Sequence, residues 1–91
     1  MPDAPNSAEA EITLGRKNGM HITPAVMLCK LQEEFPTTNI IIRWNNVELT
    51  CKSPIKLAST GIKFQDPLSI YVTGGSADEV IERVRAILES D

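Results

Sequence analysis

Asn18-Gly19-Met20-His21-Ile22-Thr23-Pro24-Ala25, continuing through Phe35 to Pro36, is the stretch that decides the fold. Upstream of it, apolar residues recur every second position. Within it they recur every three to four, so the chain changes from strand to helix here. Ala25, Leu28, Gln32 and Phe35 fall on one stripe with Cys29 beside it, while Lys30, Glu33 and Glu34 point away. Pro24 lies in the first turn, where its missing N–H costs nothing, and Pro36 stops the helix. The pattern predicts a helix from Ile22 to Phe35.

His21 is the only histidine of the chain and stands at the amino end of that helix. The first amide N–H groups of a helix have no intrahelical partner, and the macrodipole adds partial positive charge beside them. Such an end is a seat for an anion, above all phosphate. An imidazole there can carry a phosphoryl group against backbone donors. The same placement also suits a surface residue or a weak cap. Met20, Met27 and Leu31 form a second apolar line on the flank next to His21. Two readings of that line stay open: extra core, or an exposed strip for a partner.

Outward from this centre, residues 1–8 hold two prolines, an asparagine and a serine without periodicity and read as a mobile tail. From Glu9 to Leu14 the chain alternates, with Ala10, Ile12 and Leu14 on one face, which predicts a half-buried strand. Gly15 to Gly19 is a turn. Beyond Pro36, Asn39 to Trp44 and Val47 to Lys52 read as a hairpin joined at Asn45-Asn46, with Ile40–Trp44 opposite Val47–Cys51. Ser53-Pro54 has the form of an N-cap and first helical residue for a short helix carrying Ile55, Leu57 and Ala58, closed by Gly61. Asp66-Pro67 opens a last strand, Leu68 to Val72, which Gly74-Gly75 ends. Ser76 and Glu79 have capping-box spacing ahead of a helix to about Glu89. Val80, Ile81, Val84, Ile87 and Leu88 are its apolar stripe. A sheet with its helices on one face is the economical packing, which makes residues 9–91 a single α+β two-layer domain.

The 91-residue chain is large enough for one core and too small for two. A net charge of −3 gives no basic footprint for nucleic acid or an anionic membrane. No apolar run approaches a membrane span, and the first residues lack signal-peptide character, so a cytoplasmic location is expected. Cys29 and Cys51 fall on a helix and a strand without metal-ligand spacing, and are expected to be buried thiols. No metal site is expected.

In element order and spacing, residues 9–89 resemble the histidine-containing phosphocarrier family, HPr, of the bacterial sugar phosphotransferase system. Asn18-Gly19-Met20-His21 resembles the family's Asn-Gly-Leu-His, Pro24-Ala25 its Pro-Ala, and Lys52-Ser53 with Ile55, Leu57 and Gly61 its second signature. The resemblance implies an open-faced sandwich of four antiparallel strands with two longer helices and one short helix on one side. It implies that His21 accepts a phosphoryl group from enzyme I and passes it to sugar-specific IIA components, with no cofactor. The amides of Ile22 and Thr23 would hold the phosphate, with Asn18 and Pro24 shaping the turn and the helix start. Ser53 corresponds to the serine that an HPr kinase phosphorylates in many Gram-positive members to control carbon catabolite repression.

The sequence departs from the family pattern at four places. Thr23 stands where the family has arginine, and Ile22 where it has a small residue. Pro54 and Thr60 replace apolar residues of the second signature. The arginine matters most. Its charge-assisted hydrogen bond to phosphate is worth ~1.5–3 kcal/mol in an equilibrium, and catalytic arginines reach roughly 10³-fold in rate. Arg16 or Lys17, in the preceding turn, is the candidate replacement. An alternative to the carrier is an HPr-like adaptor that binds a partner through Met20, Met27, Leu31 and Ile55. A turnover enzyme is the remaining class, but no carboxylate or nucleophile adjoins His21 in sequence, and no glycine-rich phosphate loop is present.

Overall fold

The structure, a computed structural model, describes residues 7–90. Four strands and three helices follow one another along the described residues: β1 (Ser7–Thr13), α1 (Ile22–Glu34), β2 (Thr38–Trp44), β3 (Val47–Thr50), α2 (Pro54–Ala58), β4 (Pro67–Gly74) and α3 (Ala77–Glu89). Ser7 and Ala8 belong to β1, so the expected tail is shorter at this end. Its residues 1–6 lie outside the described residues.

All strand pairs are antiparallel, in the order β1-β4-β2-β3. β1 and β2 therefore run parallel with β4 inserted between them, and α1 makes the crossover that such a pair requires. Side-chain alternation decides which face is covered. Ile12, Ile40, Ile42, Leu68, Ile70 and Val72 are buried on the helix side, together with Leu28, Leu57, Val80, Val84 and Leu88 from the helices. The opposite face stays open. There Glu9, Tyr71, Ile41 and Thr50 form one cross-strand row, and Glu11, Ser69, Arg43 and Glu48 the next.

The β2–β3 hairpin has the expected register, Trp44 opposite Val47 and Ile41 opposite Thr50. Asn45 and Asn46 at φ 53° and 65° make the two-residue turn whose twist matches the strands. β3 ends at Thr50, before the expected Lys52. Gln32, expected only as part of an apolar stripe, fixes the end of α1. Its Nε2 donates to the carbonyls of Phe35, at 3.2 Å, and Thr38, while its Oε1 accepts from Ile40 N–H at 3.0 Å. The capping box expected at Ser76 does not form, because the Ser76 side chain makes no cap hydrogen bond. α3 relies instead on its apolar stripe and on Asp78 and Glu79 in its first turn. Arg83 ties it to α1, donating to Glu34 at 2.6 and 3.2 Å with its guanidinium over Phe35. That pairing holds the Glu34 carboxyl below the usual carboxylate range.

Candidate functional site

His21 is the N-cap of α1. Its backbone is extended (φ −90°, ψ −171°), its carbonyl accepts from Ala25 N–H at 3.3 Å, and its ring is partly exposed. The turn before it is fixed from several sides. Gly19 N–H donates to Arg16 O at 2.9 Å, His21 N–H to Gly19 O at 2.9 Å, and Met20 N–H to Ile62 O at 3.0 Å. Gly19 sits at φ +73°, and a Cβ there would lie 2.6 Å from Ile62 O, so this position takes glycine on two grounds. Asn18 is exposed in the same turn.

The amides at the helix start are few and aimed. Ile22 N–H has no acceptor among the described residues. Thr23 N–H donates to His21 Nδ1 at 3.4 Å, a long hydrogen bond and easily exchanged. Pro24, buried at the third helical position, contributes no donor. A nitrogen that accepts carries no proton, so Nδ1 holds the lone pair and Nε2 the hydrogen. Nδ1 thus faces the Thr23 amide at the start of α1. Ile22 and Thr23 are the first two residues of α1, and both are exposed.

Ser53 caps α2, its Oγ accepting from Lys56 N–H at 3.3 Å, with Pro54 as first helical residue. That is the structural part of its expected role. The apolar strip divides. Met20 and Leu31 are each 2% exposed and belong to the core, which removes both from any contact surface. Met20 is drawn inward by its N–H bond to Ile62, and Leu31 lies on the inward side of α1 near α3. Met27 and Ile55 remain outside at 40% and 73% exposure, joined by Ile22 at 50%. Ile22 as a surface residue was not anticipated from the sequence.

Cys29 and Cys51 are both free and buried, and line one cavity of about 310 Å³ between α1 and the segment after β3. Burial and then the neighbouring Cys29 push the Cys51 thiol up to about 12. Among the described residues, no group of three potential metal ligands occurs, and no helix is long and apolar enough to cross a membrane.

Sequence reasoning missed the long-range partners of the site. Ile62 O supports the turn, and the last turn of α3 grips the segment after β1: Gly15 N–H donates to Leu88 O at 2.8 Å and Arg16 Nε to Ile87 O at 2.8 Å. Nothing in sequence order pairs residues 16 and 87.

The family model described as the PTS HPr component phosphorylation site matches residues 8–90. The chain belongs to the HPr family. Two relatives are phosphocarrier proteins HPr from mycoplasmas. That of Mycoplasma genitalium is 30% identical over 73 residues, covering 80% of this chain and 83% of the relative. That of Mycoplasma pneumoniae is 31% identical over 71 residues, covering 78% and 81%. Among solved structures, the Bacillus anthracis HPr matches the fold with a TM-score of 0.80 at 22% identity, over 90% of this chain and 96% of that one. A mycoplasma histidine-containing phosphocarrier protein gives 0.78 at 28% identity, over 88% and 90%. The α+β open-faced sandwich is the fold of these HPr proteins, and phosphocarrier function in the phosphotransferase system comes with the family.

Proposed function

We propose that His21 is the residue this phosphocarrier phosphorylates, at Nδ1. The observation that carries the proposal is the hydrogen bond from Thr23 N–H to that nitrogen, beside the unused N–H of Ile22. The Nδ1 lone pair attacks phosphorus, a new P–N bond forms, and the bond to the donor's leaving group breaks with its electron pair returning to the donor. The Nε2 proton stays on the ring. Thr23 N–H, displaced from Nδ1, turns to a phosphoryl oxygen, and Ile22 N–H takes another. Two neutral donors at a helix start hold the group without trapping it, which suits a carrier that must pass it on.

The donor is enzyme I, charged from phosphoenolpyruvate, and the acceptors are IIA components. Ile22, Met27 and Ile55, exposed on α1 and on α2 packed beside it, supply apolar contact for both classes of partner. The protein acts as a covalent carrier, returning to its starting state only when an acceptor discharges it. Incubation with enzyme I and labelled phosphoenolpyruvate is expected to give an acid-labile phosphohistidine that His21→Ala abolishes. Label surviving in His21→Ala, or no label in the natural protein from its cognate enzyme I, would overturn the assignment.

A further inference from the structure

We infer that Arg16, five residues before the histidine, supplies the cationic contact to the phosphoryl group that the family's arginine supplies from the position of Thr23. This rests on the assignment of His21 as the phosphorylated residue and concerns the same site.

Two hydrogen bonds place the side chain. Arg16 Nε donates to Ile87 O in the last turn of α3 at 2.8 Å, which anchors the stem. Arg16 Nη2 reaches across to α1 and lies 3.6 Å from Met27 Sδ. The side chain therefore bridges the last turn of α3 and Met27 of α1, two elements whose Met27, Leu31 and Ile87 line a common groove. Met27 and Thr23 are four residues apart in one helix, so they share a face with Cβ atoms roughly 5–6 Å apart. Helical side chains also lean toward the amino end, the direction in which Thr23 lies from Met27. The charge missing at Thr23 is thus present one turn away, on the same face of the same helix.

The chemistry of the contact fits transfer rather than storage. A thioether is a weak acceptor, so it holds the fork in place at little cost to release. A phosphoryl dianion on His21 is a far stronger acceptor and draws Nη2 off the sulfur, while Nε keeps its carbonyl. The residue is partly buried, so its charge is less screened than that of a fully solvated side chain. A purely structural Arg16, tying the turn to α3, would account for the Nε bond. It would not account for a fork directed at the helix face that carries Thr23.

The experiment measures the rate of phosphoryl transfer from phosphorylated enzyme I to four forms of the protein: natural, Arg16→Met, Thr23→Arg, and the double variant. Arg16→Met keeps the apolar length against Met27 and is expected to lower kcat/KM by about tenfold to a hundredfold, mainly in kcat. Thr23→Arg restores most of that loss in the double variant. Thr23 is exposed, so Thr23→Arg folds irrespective of what Arg16 does for stability. Thr23→Arg alone gives the reference rate for that background, in which Arg16→Met is expected to cost less than about threefold. Two results would each overturn the inference: Arg16→Met transferring within twofold of the natural protein, or Arg16→Met costing as much on the Thr23→Arg background as on the natural one. Absence of any phosphorylation in the natural protein would instead strike at the assignment of His21 itself.

Discussion

Two helix starts in this protein use the same device to different ends. α1 begins at His21 and α2 at Ser53, each an extended N-cap whose side chain accepts a backbone N–H, at 3.4 and 3.3 Å. Each has a proline in its first turn. In α2 the proline is the first helical residue, Ser53 Oγ takes the third amide, and the helix ends after 5 residues. Its cap is a neutral hydroxyl doing local work. In α1 the proline is the third residue, so the first two amides survive, backed by a 13-residue helix. The cap atom is there a nitrogen lone pair, and a donor that pairs with it can also pair with whatever it acquires. A proline two positions later and an imidazole in place of a hydroxyl are what set the start of α1 apart from that of α2.

The sharpest way to break this comparison is to keep the cap of α1 and remove its nucleophile. Asparagine is among the best N-cap residues, so His21→Asn is expected to stay within about 1 kcal/mol of the natural stability. Phosphorylation by enzyme I should nevertheless fall by roughly 10³-fold or more, since no covalent acceptor remains. Residual labelling above that level would place the phosphoryl group elsewhere.

The segment leading into α2 gives the next largest effect, through pH. The folded protein holds the Cys51 proton more tightly than the unfolded chain, where a thiol titrates near about 8.5. That contribution to stability is complete below the unfolded value and is lost as pH rises toward 12. Chemical denaturation at successive pH values should show a loss of order a few kcal/mol across that window. Cys51→Ala should flatten the slope; an identical slope in the variant would show that Cys51 is not its source.

Gly19→Ala tests whether the turn before His21 is as confined as its geometry implies. A left-handed backbone and the close approach of Ile62 O together predict a destabilisation of about 2 kcal/mol or more. Thermal unfolding within about 0.5 kcal/mol of the natural protein would show that the turn relaxes freely. The smallest change is expected at the other helix start. Ser53→Ala removes the α2 cap at a cost of about 1 kcal/mol and should leave His21 phosphorylation within about twofold. A larger loss of transfer would couple the two helix starts that this account treats as separate.

Much of the fold was legible because the period changes are clean. Ile12 and Leu14 alternate with charge, and Val80, Val84 and Leu88 repeat at helical spacing, so burial followed from pattern. The capping box at Ser76 was a sequence motif that the backbone does not use, since Ser76 sits at ψ 37° rather than in an extended conformation. At the site, His21 and the proline after it were readable because helix starts are written locally. Met20 and Leu31 were not, because periodicity names a face without saying what covers it; Met20 N–H bonds to Ile62 O, and Leu31 lines a groove with Ala86 and Ile87 of α3. Arg16 drew notice only for its charge. Its reach to Ile87 and Met27 depends on contacts 71 and 11 residues away in sequence, which no local pattern encodes.

The first amides of α1 are proposed to hold a phosphoryl group on His21 Nδ1. Nitrogen-15 NMR of the protein before and after phosphorylation by enzyme I tests this most directly. An Nδ1 phosphoimidazole pattern is expected for His21, with the amide protons of Ile22 and Thr23 moving downfield. An Nε2-linked phosphate, or Ile22 and Thr23 resonances that stay in place, would contradict it.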